Sequence, residues 1–113
     1  MNDDKNRIEH IIEHIQRIQA LLVNVTEEQF YDSLILIEAV SYNFAIIGEA
    51  ANNVSEEIRD AHPDIPWGNI IGMRNILIHA YMRLKPHYLW EAYQKDLVPL
   101  LQKAEEIHGL LSH

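Results

Sequence analysis

The sequence contains no cysteine, which excludes both a disulfide framework and a thiolate zinc site and fits a reducing cytoplasm. It is also poor in positive charge. Nine Lys and Arg stand against seventeen Asp and Glu, a net charge of -8, so the chain is not built to coat nucleic acid nonspecifically, which needs a basic face. Its apolar stretches fall short of the roughly 20 residues that span a bilayer, and Met1-Asn2-Asp3-Asp4-Lys5 lacks the basic start and apolar run of a signal peptide. A soluble, cytoplasmic protein is expected. There is no strand-like alternation, internal repeat or low-complexity linker. The 113 residues are read as a single domain, 1–113, large enough to bury roughly two-thirds of the surface its unfolded chain exposes.

What is present is helical periodicity. Asp3 or Asp4 can cap a first helix whose Ile8, Ile11, Ile15, Ile18 and Leu22 keep a spacing of three and four, and which should run to about Val23. His10 and His14, one turn apart on its other side, could grip a metal only with further ligands, and an exposed pair is expected. Thr26 and Gln29 form a capping box, with Val25 and Phe30 spaced as a hydrophobic staple, so a short helix starts there. After Asp32 the pattern Leu34, Ile37, Val40, Phe44, Ile47, Ala51, Val54, Ile58 predicts the longest helix, ended by His62-Pro63. Within it Gly48 and Ala51 are small enough to let a neighbouring helix approach closely. Glu38 and Glu49 border its apolar face, roughly 16 Å apart, too far to act as a catalytic pair; each is either an acid at a site or a solvated edge residue.

Pro66 suits the first turn of the next helix, Trp67 to about Tyr81. A turn over Met82 to Lys85 follows, and Pro86 opens a last helix that Pro99 should kink. The fold class expected is all-α, an antiparallel bundle of four long helices plus a possible short one.

The stretch Arg74-Asn75-Ile76-Leu77-Ile78-His79-Ala80-Tyr81 holds the candidate chemistry. On a helical wheel Ile70, Met73, Ile76, Leu77 and Ala80 share a core face of roughly 120°. Arg74, Asn75, His79 and Tyr81 lie outside it with Ile71 and Ile78, a mixed surface of the kind that takes a partner. From Ile65 to Trp90 there is no Asp or Glu, while Arg74, Arg83 and Lys85 contribute +3. Arg74 and His79 point about 140° apart with a rise of about 7.5 Å, too divergent for one chain to close both on one phosphate. Two copies meeting across a two-fold axis through Ile71 and Ile78 would place both motifs in a shared cleft.

There Arg74 could hold a phosphodiester and stabilise its transition-state charge. His79 could take a proton from a ribose 2′-hydroxyl or give one to the leaving oxygen, and Asn75 could orient His79 or contact phosphate. That is RNA cleavage without a metal or other cofactor, and it cannot act on DNA. Read alone, Arg-x4-His also fits a carbonyl contact and a helix-capping cation, and Tyr81 an edge residue.

Several separated blocks, Ile46 to Ala51, His62 to Trp67, Ile70 to Asn75, His79-Ala80-Tyr81, Trp90 and Asp96 to Pro99, resemble in order the HepT proteins of the HEPN superfamily. The resemblance covers nearly the whole chain. It implies an all-helical, HEPN-like homodimer acting as the ribonuclease toxin of a type VII-like toxin–antitoxin pair. The family's Arg-x4-His-x-Tyr pattern falls on Arg74, His79 and Tyr81, with Asn75 as the polar residue after the arginine. It further implies an MntA-type minimal nucleotidyltransferase as antitoxin partner, which transfers AMP from ATP to the motif tyrosine, here Tyr81. Relatives often carry acidic residues where this chain has Arg83, Leu84 and Lys85. Two other classes remain: a noncatalytic helical dimerisation or binding module, and a metal-dependent hydrolase using its histidines.

Overall fold

The computed structural model describes residues 3–79 and 85–112. These form seven helices: α1 (Asp4–Leu22), α2 (Glu27–Tyr31), α3 (Leu34–Asn52), α4 (Glu56–Ala61), α5 (Trp67–His79), α6 (Pro86–Lys95) and α7 (Leu97–Leu111). There is no strand among the described residues, and the all-α, HEPN-like class holds. Helix α3 lies at the centre, packed on α1 on one side and α5 on the other, while α7 packs on α1 and α6 covers α2, α3 and α7. By length and composition alone α3 is apolar enough to cross a membrane, contrary to the expectation that no stretch reaches that far. Here Val40, Phe44, Ile47 and Ala51 on it are buried as the middle of the core.

Local signals place most helix ends. The Thr26 hydroxyl accepts from Gln29 N–H at 3.1 Å and the Gln29 carboxamide oxygen accepts from Thr26 N–H at 2.9 Å, closing the capping box. Phe30 is fully buried and Val25 joins the same cluster, and Phe30 stacks on Trp90 at 5.5 Å to fasten α2 to α6. Asn24, the residue between α1 and α2 with φ 61°, is a type that tolerates left-handed backbone.

Three expectations are corrected. The long central helix stops at Asn52 instead of running to His62. Asn53 turns its amide back to the Glu49 carbonyl at 2.8 Å, satisfying an end carbonyl, and Ser55 caps α4 by accepting from Ile58 N–H. The corner is pinned from afar by Asp4, 3% exposed, whose carboxylate accepts from Ser55 N–H at 2.8 Å and Ser55 O–H at 2.6 Å. Asp4 is therefore a tertiary anchor, and Asp3, at the N-cap, makes no side-chain capping bond. Replacing Asp4 with Ala leaves these part-buried donors without their carboxylate and is expected to cost about 1–2 kcal/mol, read as a lower urea midpoint at unchanged slope.

The last helix is also divided, where only a kink was expected. Pro99 has no N–H for the Lys95 carbonyl, and the chain breaks at Asp96 (φ -107°, ψ -29°), which donates back to Ala92 and accepts from Leu100. Third, His10 and His14 are not an exposed pair. His14 is 8% exposed, and its Nδ1 donates to the His10 carbonyl at 2.8 Å, so this nitrogen is fixed as the protonated one.

Between α5 and α7 the bundle is not closed. A largely apolar cleft of about 330 Å³ opens there over Phe44 and Ile47, walled by Ile70, Met73, Leu97 and Leu100. The Lys103 ammonium bridges one end, 2.7 Å from the Asp64 carboxylate. That hydrogen bond holds Asp64 below the usual carboxylate range and raises Lys103. The stabilisation is present between the ordinary Asp and Lys values and is lost as pH falls through the lowered Asp64 value. Accordingly, Lys103→Met should lower the urea midpoint at pH 7, with the difference from wild type closing in acid.

Candidate functional site

Helix α5 begins where the Trp67 indole N–H donates to the His62 carbonyl at 3.0 Å, a bond that folds the chain back after Pro63. It then runs so close to α3 that a Cβ built on Gly48 would lie 2.9 Å from the Ile70 carbonyl oxygen and overlap the Arg74 Cβ. The close approach expected at Gly48 is thus made, and its partner is the motif helix at the level of Arg74.

Seated in this seam, the Arg74 side chain is only 24% exposed. Its Nε lies 2.9 Å from Glu49 Oε2, yet the buried Nε–H is not aimed along that line, so the contact is chiefly ionic. Its Nη1 donates to Asn75 Oδ1 at 2.8 Å. Asn75 therefore holds the guanidinium. Among the described residues the other guanidinium N–H groups have no acceptor, and a fork of parallel donors is a geometry that matches phosphate oxygens. Of the two acids on α3, Glu49 is the one brought to Arg74; both Glu49 and Glu38 are exposed.

This pairing also revises the charge reading. The window around the motif lacks acids in sequence but not in space, because α3 brings a carboxylate to Arg74. A signal for it was present: Glu49 follows the one glycine that marks the α3–α5 seam.

The two faces of α5 are turned from the expected setting. Ile71, placed on the outer face by the wheel, packs partly against the core. Ile76, assigned to the core face, is 42% exposed, and Ile78 is 47% exposed. Rotation of a helix about its axis is set by whichever side its neighbours cover, and α5 carries apolar residues on both. His79 is the last residue of α5; its side chain and the whole of Ala80, Tyr81, Met82, Arg83 and Leu84 lie outside the described residues. Lys85 is exposed ahead of α6. Among the described residues no group of three or more His, Asp or Glu side chains is arranged to hold a metal ion.

Fold and site define the class first: an all-helical domain whose motif helix carries a guanidinium pinned between an acid and an amide, five residues before a histidine. A family model described as "Ribonuclease HepT-like" matches residues 11–107, and the chain belongs to that family. It is 31% identical over 107 residues to "Putative RNase TTE0752" of Caldanaerobacter subterraneus subsp. tengcongensis, covering 95% of this chain and 96% of the relative. It is 33% identical to "Probable ribonuclease HepT" of Thermococcus cleftensis, covering 91% of this chain and 94% of the relative. No solved structure matches the chain significantly.

Proposed function

We propose that this chain is a metal-independent endoribonuclease toxin that works as a homodimer in the cytoplasm. The observation that carries the reading is Arg74, fixed at the α3–α5 seam with donors to spare, on the same helix as His79 in a HepT-like ribonuclease. His79 removes the proton of a ribose 2′-hydroxyl, and the 2′-oxygen attacks the adjacent phosphorus. As that O–P bond forms, the bond to the 5′-oxygen breaks and this oxygen takes a proton from the imidazolium of a protonated His79, so that proton uptake and release balance. The products are a 2′,3′-cyclic phosphate and a 5′-hydroxyl. Arg74 pairs with the non-bridging oxygens, whose charge grows in the transition state.

The exposed Ile76 and Ile78 are the apolar surface through which two α5 helices meet, bringing a second Arg74 and His79 to the cleft. Toxicity is held in check by a minimal nucleotidyltransferase. The Tyr81 hydroxyl gives up its proton to solvent as its oxygen bonds to the α-phosphorus of ATP, the bond to the β-phosphate breaks and pyrophosphate leaves, and the attached AMP blocks RNA by bulk and negative charge.

A labelled RNA, its DNA copy and an RNA with 2′-O-methyl riboses test the chemistry. Cleavage of the first alone, with cyclic phosphate ends, is expected; cleavage of the DNA copy overturns the mechanism. For the control step, the nucleotidyltransferase with ATP should add one AMP to wild type and none to Tyr81→Phe, by mass spectrometry, and modification of both removes Tyr81 as acceptor.

A further inference from the structure

We infer that Glu49 is a positioning residue for Arg74, holding the guanidinium in a phosphate-ready orientation at the cost of weaker RNA binding. The inference rests on the ribonuclease reading above. Three observations converge on it. Gly48 removes the side chain that would otherwise keep α5 away from α3 at this level, so the stem of Arg74 is clamped. Glu49, the next residue, sits 2.9 Å from Nε, on the inner edge of the guanidinium. Asn75, the residue after Arg74 on α5, accepts from Nη1, so one contact from α3 and one from α5 fix a group that in solution samples many rotamers.

Fixing it matters because an arginine already aimed pays no ordering entropy when the transition state forms. Glu49 is itself 48% exposed, so its carboxylate faces the same polyanion that Arg74 binds. It therefore repels the substrate it prepares the site for, and its removal has effects of opposite sign on the two kinetic constants. Glu49→Gln keeps the shape and loses the charge. It is expected to lower kcat about ten- to hundredfold while KM for RNA falls as well. Glu49→Asp keeps the charge on a shorter stem and should recover part of kcat with a KM close to wild type. A purely structural role for Glu49 would reduce the active fraction, leaving KM unmoved and giving Asp no advantage over Gln.

The experiment is steady-state RNA cleavage by wild type, Glu49→Gln, Glu49→Asp and Arg74→Ala, alongside 15N relaxation of the Arg74 side-chain Nε in wild type and Glu49→Gln. A fall in both kcat and KM for Glu49→Gln, partial recovery in Asp and a loss of Nε order support the inference. Wild-type kcat in Glu49→Gln beside an inactive Arg74→Ala overturns it and leaves the ribonuclease reading standing. If wild type itself does not cleave RNA, that reading fails instead, and the Nε order alone decides: unchanged order in Glu49→Gln overturns positioning, and lost order upholds it.

Discussion

Arg74→Ala is expected to lower RNA cleavage by about 10²- to 10³-fold, the usual loss when one charge-stabilising donor group is removed from a transition state. The effect should be chemical and not structural. Arg74 contributes its stem to the α3–α5 seam, but the carboxylate it leaves behind, Glu49, is half in water and keeps its solvation. Helix content by circular dichroism and the oligomeric state should therefore match wild type. Arg74→Lys refines the test, since lysine supplies a point charge without the planar fork that reaches Glu49, Asn75 and phosphate together. It should remain at least about tenfold below wild type. Cleavage by Arg74→Ala at the wild-type rate would remove Arg74 from the chemistry, and full activity in Arg74→Lys would reduce its role to charge alone.

The second large effect is on stability. Alanine is ordinarily better than glycine inside a helix by about 1 kcal/mol, so a helical glycine is usually a site for improvement. Gly48 reverses that sign. The new methyl would meet the Ile70 carbonyl oxygen at 2.9 Å and overlap Arg74 Cβ, and a backbone oxygen can yield only by moving α5 bodily off α3. Overpacking of this kind costs about 1–3 kcal/mol, and Gly48→Ala should lower the denaturation midpoint and, by displacing Arg74, RNA cleavage with it. Gly109→Ala on α7, where nothing lies within 4 Å, is the control and should be neutral or stabilising by up to about 1 kcal/mol. A midpoint for Gly48→Ala at or above wild type would mean that α3 and α5 are not in this contact.

Much of this fold is legible in the sequence wherever one local signal suffices. The Thr26–Gln29 box, Pro66 ahead of α5 and Pro86 at the start of α6 each act within one turn. The break after Asn52 was not legible, because Val54 and Ile58 continue the apolar period straight through it. What stabilises the corner is Asp4, 51 residues away in the chain. His14 sits three residues after Ile11 and four before Ile18, on the core stripe itself, but its polarity hides that position in a pattern of apolar residues. At the site, Gly48 announced a close helix approach but not which helix would make it. The Glu49–Arg74 pair followed only once α5 was laid against α3, as did the exchange of Ile71 and Ile76 between inside and outside.

The most direct test of the central claim is cleavage of a mixed cellular RNA pool by purified wild type and His79→Ala, with EDTA present throughout and mass spectrometry showing Tyr81 unmodified. Cleavage by wild type alone, leaving cyclic phosphate ends, is the result expected of a metal-free ribonuclease that uses His79. Equal cleavage by both proteins, or none by the unmodified wild type, would contradict it.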